Sequence, residues 1–489
     1  MRKYILGIDQ GTTGVTAMLF DKNLAPISRG YCEIEQFYPQ NGWVEHDPEN
    51  IWVAVKNAVT EAMKNANASP ADILAIGIDH EGESAMVWDK ESGSPVYPAI
   101  VWQDKRTSAR AEELEEEFGD LFRCKTVLSP DSYFSATKIE WILKNAPTSR
   151  TCLAGNMDAW ILYKMTGGKE HKTDASTASR TMLYNIESGV WDEEICGIFG
   201  IDVGILPEIG DSTRVFGISD PDAFLGISAP IGAMLCDQQA ALLGQGCVRK
   251  GMLKTTYGTG CFMLMNTGDE PVYSQNGLVT TVAWQIGGKR TFALDGGVYD
   301  AGTAVQWLRD GLGIIDSASE CAALAMSVKD NGGVYFVPAF SGLGAPHHDP
   351  YARGMMIGLT RGTTRAHIVR AADEAMAYQV ADLAKLMEKD TATPITLMRC
   401  DGGAVRDKFL MQFGADMMNI PIEIPDCTEA TVRGAAFAAA VGLGFADIND
   451  AESLFSVKTR YIPTMNEENR TRLQNEWHRA VERAKKWQE

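Results

Sequence analysis

Three things are scarce in this 489-residue chain. It has no Cys-x-x-Cys pair, no apolar run near the roughly 18 residues that a bilayer-spanning helix needs, and too little positive charge to balance its acids. Forty-five Lys and Arg stand against 64 Asp and Glu, a formal charge of −19. Nucleic acid and anionic membranes are held by clustered cations, so neither is expected as the main partner. Anionic small substrates stay open, because a site can be locally positive or carry a metal. The ten cysteines are scattered, at positions such as Cys32, Cys124, Cys236 and Cys400, and read as buried thiols of a reducing compartment. No charged leader with an apolar core and cleavage site precedes the first strand, so a cytoplasmic protein is expected. A GxxxxGK[ST] run is missing, which removes a P-loop, and no GxGxxG opens a first helix, which argues against a dinucleotide site.

What is present is ordinary in bulk and unusual in detail. Apolar residues make up 45% and charged residues 22%, the balance of a globular protein. The length exceeds what one core supports, so at least two domains are expected. The organising stretch is residues 4–20, where an apolar run ends at Asp9 and a second begins after Gly14. Short apolar runs bounded by turn residues predict a hairpin with residues 9–14 at its tip. Gly11 and Gly14 let a ligand approach the backbone. Thr12 and Thr13 offer hydroxyls and N–H groups to phosphate oxygens, and Asp9 suits a hydrated Mg²⁺ beside them. An ordinary glycine-rich turn is the competing reading.

Strands are predicted at residues 25–34, 73–78, 85–88 and 99–102. Asp47-Pro48-Glu49 opens a helix, with Asp47 as N-cap and Pro48 in the first turn. Three acids and a histidine, in Asp79-His80-Glu81-Gly82-Glu83-Ser84, suggest the lip of a site at a strand end. The acidic run 112–117 reads as a solvated helix face. Residues 132–166 read as helical, and 186–226 as short helices and loops.

A second unit is expected to start near residue 230. Strands at 252–256 and 261–266 flank the tip Tyr257-Gly258-Thr259-Gly260, repeating the opening device, and such repetition suggests duplication. Further strands are predicted at 292–294, 333–338 and 395–399, the last ending in Asp401-Gly402-Gly403. Helices are predicted at 301–312, 364–389, 406–418, 429–441 and 466–487. Strands alternating with helices in both halves imply an α/β fold with covered sheets. Two lobes would each give a hairpin to a nucleotide lying in the cleft between them.

Several runs, in order, resemble the FGGY carbohydrate kinases, and within them the glycerol kinases. They are residues 9–13, Val101-Trp102-Gln103-Asp104, Tyr133-Phe134-Ser135-Ala136-Thr137-Lys138, Asp237-Gln238-Gln239-Ala240-Ala241-Leu242, Tyr257-Gly258-Thr259-Gly260-Cys261-Phe262 and Ser341-Gly342-Leu343-Gly344-Ala345-Pro346. The resemblance covers about residues 4–445. It implies two actin-like (ribonuclease H-like) domains, here 1–245 with the acceptor site and 246–489 with the nucleotide pocket, and ATP- and Mg²⁺-dependent phosphorylation of a sugar or polyol hydroxyl. It also implies a homo-oligomer, dimer or tetramer. Phosphoryl transfer needs positioning, charge neutralisation and a base at the attacking hydroxyl. By resemblance Asp237 is that base and, with Asp9, a metal contact. Thr12, Thr13, Gly14 and Thr259 meet the phosphates, while Gly302, Gln306, Gly402, Gly403 and Asp407 line the nucleotide pocket. The acceptor falls to Gly82, Glu83, Tyr133, Asp237, Gln238 and Phe262.

The chain departs from that pattern in places. Glycerol kinases usually read Asn-Gln-Arg-Glu-Thr where this chain has His80-Glu81-Gly82-Glu83-Ser84, so the arginine that grips glycerol falls on Gly82. Its loss removes up to five donors and a large volume. A charged hydrogen bond is worth roughly 1.5–3 kcal/mol, or one to two decades of affinity. The vacated space, with His80 and Glu81 nearby, would admit a longer polyol of four or five carbons; a true glycerol kinase is the alternative. Thr16 stands where those kinases carry an arginine after the phosphate hairpin, and Asp407 where they have an asparagine near the adenine. His347-His348 replaces Tyr-Trp, and neighbouring strand residues face opposite ways, which argues against a shared metal. Outside this class, an actin- or chaperone-like ATPase would share the two lobes but would not need Asp237, Glu83 and Tyr133 around a small cleft.

Overall fold

The computed structural model describes residues 3–147, 151–427, 429–454 and 456–488. The opening stretch forms the predicted hairpin: β1 (Tyr4–Gln10) pairs antiparallel with β2 (Gly14–Phe20), and β3 (Pro26–Glu33) continues the ladder. Strands Ile73–His80 and Pro230–Cys236 then add in parallel beside β1, and Gly217–Ile218 closes the edge. Ile5, Leu6 and Ile8 are all buried, as expected of strands covered on both faces. Helix α1 (Pro48–Asn65) starts where predicted, its Asp47 carboxylate accepting from the Glu49 N–H. Its buried face, including Ile51, Val55 and Val59, packs on β2 and β3.

The second sheet repeats this plan. Strands Lys289–Val298, Cys261–Gly268 and Met252–Tyr257 form an antiparallel meander, and Leu397–Gly402 and Ile422–Pro425 add in parallel beside Met252–Tyr257. Each sheet thus has a meander whose first strand receives two parallel neighbours, and the Gly/Thr hairpins occupy equivalent places. The two-domain α/β architecture expected from the sequence is therefore present. A helix at Ala430–Gly442 packs against Ile73–His80 and Pro230–Cys236, and its Val432, Ala436 and Phe437 join a core with Leu235, Leu264 and Ala293 from both sheets. Small residues permit this contact: a Cβ on Gly434 would lie 1.8 Å from the Ala240 carbonyl oxygen, and one on Gly77 would lie 2.0 Å from that of Ala435.

Some expectations fail locally. Residues 132–166 are not one helical stretch: helices Ser135–Asn145 and Met157–Met165 flank strand Cys152–Asn156. That strand joins a small sheet with Ala85–Asp89, Ala99–Ile100 and Glu45–His46. Residue 230 does not open the second unit, because Pro230–Cys236 lies in the first sheet, bonded to Ile73–His80. Strands Val279–Ile286, Ile422–Pro425 and Val457–Tyr461 were not anticipated. The acidic run 112–117 lies on helix Ser108–Thr126 with its glutamates exposed and Leu114 buried, as expected.

Candidate active site

The parallel strands of the first sheet end together, with an acid one residue before or after each end. Asp9 on β1 pairs in register with Asp79 on Ile73–His80. Strand Pro230–Cys236, on the other side of Ile73–His80, delivers Asp237 at the first turn of helix Asp237–Gly244. Withdrawal from solvent pushes the Asp9 carboxyl up to about 7, against a hydrogen bond from Asp79 and the Arg29 charge, with Asp237 and Glu429 adding to the rise. Asp79 is fully buried; burial and then the Asp9 charge push it well above the usual carboxylate range. Its carboxyl meets that of Asp9, and no other hydrogen-bond partner reaches it among the described residues. Two such carboxyls do not both ionise readily, so the pair holds a proton.

Asp237 is raised to about 6 by burial and by Glu83, with Lys254 opposing. Its oxygens accept from the Gln238 backbone N–H at 2.6 Å and the Gln238 side-chain amide at 3.2 Å. The Gln238 carbonyl oxygen in turn accepts from Lys254 Nζ at 2.6 Å, which fixes the amide's orientation. Gln238 therefore reaches the candidate base directly. Near neutral pH Asp237 is mostly ionised and able to receive a proton, the state a general base requires.

On the acceptor side, residues 81–84 cross from the first sheet to the small one. Glu83 is buried and pairs with Arg180, whose Nε lies 2.5 Å from its carboxylate. Arg180 Nη2 reaches Asp295 at 3.2 Å and the Tyr133 hydroxyl at 3.4 Å. Burial and the Glu83 charge push the Tyr133 phenol well above its usual range, so it stays a neutral donor. Phe262, more than a third exposed, stands beside Gly297 as an apolar surface.

The expectation of vacated space at Gly82 is not met. A Cβ built there would lie 2.8 Å from Cys236 Sγ and 3.6 Å from Arg180 Cγ. The buried Cys236 thiol fills the ground next to this glycine. Nor do His80 and Glu81 line an opening, since both are buried and turned into the protein. His80 Nε2 bonds the Thr177 hydroxyl at 2.9 Å. Burial would raise Glu81, but bonds from His46, Thr12 and Gln10 hold it below the usual carboxylate range. Thr16 is not far from a cation, because Arg29 on β3 reaches its hydroxyl at 3.4 Å. His347 and His348 sit in a turn rather than a strand, and His348 bonds the Asn276 carbonyl.

The two hairpin tips are built differently. In the first, Gly11 N–H donates to the Gly14 carbonyl, and the Thr12 hydroxyl accepts from Trp102 Nε1 at 2.9 Å. That hydroxyl is anchored, while Thr13 is exposed. Gly14 packs on Tyr31, whose hydroxyl would lie 2.4 Å from a Cβ there. In the second, Thr259 is exposed, and its carbonyl accepts from the N–H groups of Ala301 and Thr303, seating the tip on helix Gly302–Gln306. Gly302 donates to the Gly258 carbonyl, and Gln306 is exposed on the same short helix. Gly402 has φ +93° and lies against the Tyr257 backbone, a conformation that favours glycine. Gly403 follows in open space. The Asp407 carboxylate caps helix Lys408–Met418 through the Leu410 N–H, so part of its bonding capacity is used by the fold.

Among the described residues no three His, Cys, Asp or Glu are arranged to enclose a metal unaided. Mg²⁺ needs only one or two carboxylates when water and phosphate complete its shell. Asp9 and Asp237, both raised by their surroundings, fit that role, because a cation would relieve them.

The sequence alone gives no role to Arg180, Asp295, Asp79 or Lys254. Asp79 had a signal, as an acid at a predicted strand end. Arg180 and Asp295 had none, since Arg180 meets Glu83, and Asp295 meets Arg180, only through the tertiary fold.

Residues 4–244 match the N-terminal domain, and residues 253–443 the C-terminal domain, of the FGGY family of carbohydrate kinases. A glycerol kinase of Carboxydothermus hydrogenoformans is 48% identical over 495 residues, covering 100% of this chain and 99% of its own. The structure of Plasmodium falciparum glycerol kinase with ADP superposes with a TM-score of 0.93 at 34% identity, covering 98% of both chains. A xylulose kinase from Lactobacillus acidophilus shares the fold at 21% identity, with a TM-score of 0.86 over 98% of this chain and 97% of that one. The chain belongs to the FGGY family of carbohydrate kinases, and so to the ATP-dependent phosphotransferases that act on an alcohol group.

Proposed function

We propose that the acceptor is a small neutral polyol and that one of four or five carbons is preferred to glycerol. The observation that carries this is Gly82. It offers no side-chain donor where the glycerol kinase pattern places an arginine, so that grip on glycerol is missing; Cys236 fills the ground beside it, so room for a longer polyol has to come from elsewhere in the cleft. The guanidinium that reaches Glu83 and Tyr133 comes from Arg180 and is tied to Asp295. The relatives named glycerol kinase support glycerol as the alternative.

In this reading ATP lies with its phosphates between the tips at residues 11–14 and 258–260, and its base toward Gly302, Gln306, Gly402, Gly403 and Asp407. Asp237 accepts the proton of the attacking hydroxyl. The hydroxyl oxygen forms a bond to the γ-phosphorus as the bond to the oxygen of ADP breaks, and Asp237 then returns its proton to solvent. Gln238, held by Lys254, keeps the carboxylate oriented. Mg²⁺ held by Asp9 and Asp237 would neutralise phosphate charge. All ten cysteines are free, in keeping with a reducing, cytoplasmic setting.

The test is competition kinetics with glycerol and the four- and five-carbon polyols. A higher kcat/KM for a longer polyol is expected, and a clear glycerol preference overturns the acceptor assignment.

A further inference from the structure

Arginine is almost never fully buried unless paired, and Arg180 is 4% exposed. Two of its three nitrogens are engaged, Nε by Glu83 and Nη2 by Asp295 and the Tyr133 hydroxyl. Nη1 is buried and meets no hydrogen-bond partner among the described residues. Leaving a buried donor unmade costs about 1–3 kcal/mol, more for a charged group, so one that is kept calls for an explanation, and a ligand hydroxyl is one that supplies the missing acceptor.

The surroundings say which ligand. Glu83 and Tyr133 belong to the acceptor side of the site. The guanidinium lies 5.6 Å from the Tyr133 ring centroid, and its stem passes the Cβ position of Gly82. Asp295 comes from strand Lys289–Val298 of the second sheet, so the Glu83–Arg180–Asp295 chain joins the two lobes across the acceptor side. The charged groups coupled there are the acids Glu83, Asp237 and Asp295 and the cations Arg180 and Lys254. That excess of acid disfavours a carboxylate-bearing acceptor. It suits a neutral polyol, whose hydroxyls both donate and accept.

We propose that Arg180 is an acceptor-binding residue, its Nη1 donating to a polyol hydroxyl, with Asp295 accepting from a second hydroxyl across the cleft. Together they take over the recognition that Gly82 cannot provide. This rests on the polyol-kinase reading but not on the acceptor's length, since the test uses whichever polyol the enzyme phosphorylates best. Should no polyol be phosphorylated, the functional reading itself fails; should one be phosphorylated without help from Arg180, this inference alone fails.

The experiment measures binding of that polyol by titration calorimetry, alongside KM and kcat, for the parent, Arg180→Gln and Asp295→Asn. Arg180→Gln is expected to weaken polyol binding about ten- to a hundredfold, the worth of one charged hydrogen bond, and to leave ATP binding unchanged. A set of monodeoxy analogues adds a readout that a merely structural role would not move. The parent should discriminate strongly against one analogue, and Arg180→Gln should lose that discrimination. Parental polyol affinity in folded Arg180→Gln, or an unaltered analogue profile, overturns the proposal. Should the variant not fold, hydrogen–deuterium exchange on the parent decides. Polyol alone should protect the segment around residues 178–183, and no protection there overturns the proposal.

Discussion

Asp9 and Asp79 lie in register on adjacent parallel strands, and their carboxyls meet. Both are raised, Asp9 to about 7 and Asp79 well beyond the usual range, so the folded protein holds protons there that the unfolded chain releases above pH 3.8. A carboxyl with a raised folded pKa makes the fold less stable as pH climbs through that window. In the nucleotide- and metal-free protein this pair's contribution to stability should therefore shrink as pH rises from 4 to about 7, against the opposite contribution of Glu81, which is held low. Asp79→Asn keeps a donor for Asp9 and removes one acid, so the variant's melting temperature should fall less, or rise more, over that range than the parent's. Equal pH slopes for parent and variant would contradict this.

The rise of Asp237 to about 6 has a kinetic consequence. With Asp237 as the proposed base, protonation would disable it, so kcat/KM should fall about tenfold per pH unit below that value. Burial is the main cause and the Glu83 charge the next, so Glu83→Gln should move the acid limb to lower pH even as acceptor binding weakens. A pH–rate profile of each protein reads the limb's position independently of its height.

Gly82 and Cys236 form a complementary pair. Gly82→Arg alone forces a side chain into the Cys236 thiol, 2.8 Å from the Cβ position. Such overpacking costs typically about 1–3 kcal/mol. Adding Cys236→Gly should recover stability and raise glycerol's kcat/KM relative to longer polyols. Thermal melts and paired kinetics check both parts, and a double variant no better with glycerol than the parent would remove Gly82 as the specificity determinant.

Gly302 is where the second hairpin tip is seated. A Cβ there would lie 2.4 Å from the Gly258 carbonyl oxygen. Gly302→Ala should displace the tip and raise the KM for ATP, leaving polyol affinity in the absence of nucleotide unchanged. Calorimetric titration with each ligand separates the two effects.

These relationships differ in how far they could be read from the sequence. Both hairpins were legible because their signal is local: apolar runs around a Gly/Thr tip. Asp47 announced α1 for the same reason. Strand Cys152–Asn156 was hidden, since Cys-Leu-Ala-Gly-Asn has no β-branched residue and lies between two helices, its pairing supplied by Ala85–Asp89. In the site, Asp237, Glu83 and Tyr133 came through resemblance. Arg180, Asp295 and the Cys236 thiol did not, because each gains meaning only from a neighbour distant in sequence. Gly82 shows the difference most plainly: one line of sequence suggests a space, and the fold fills it.

The most direct test of a polyol kinase with Asp237 as its base is ADP formation by the parent and by Asp237→Asn, with and without a polyol panel, alongside ATP binding. Polyol-dependent ADP release by the parent is expected, nearly abolished in Asp237→Asn while ATP binding persists. ATP turnover indifferent to polyol, or parental turnover in Asp237→Asn, would contradict it.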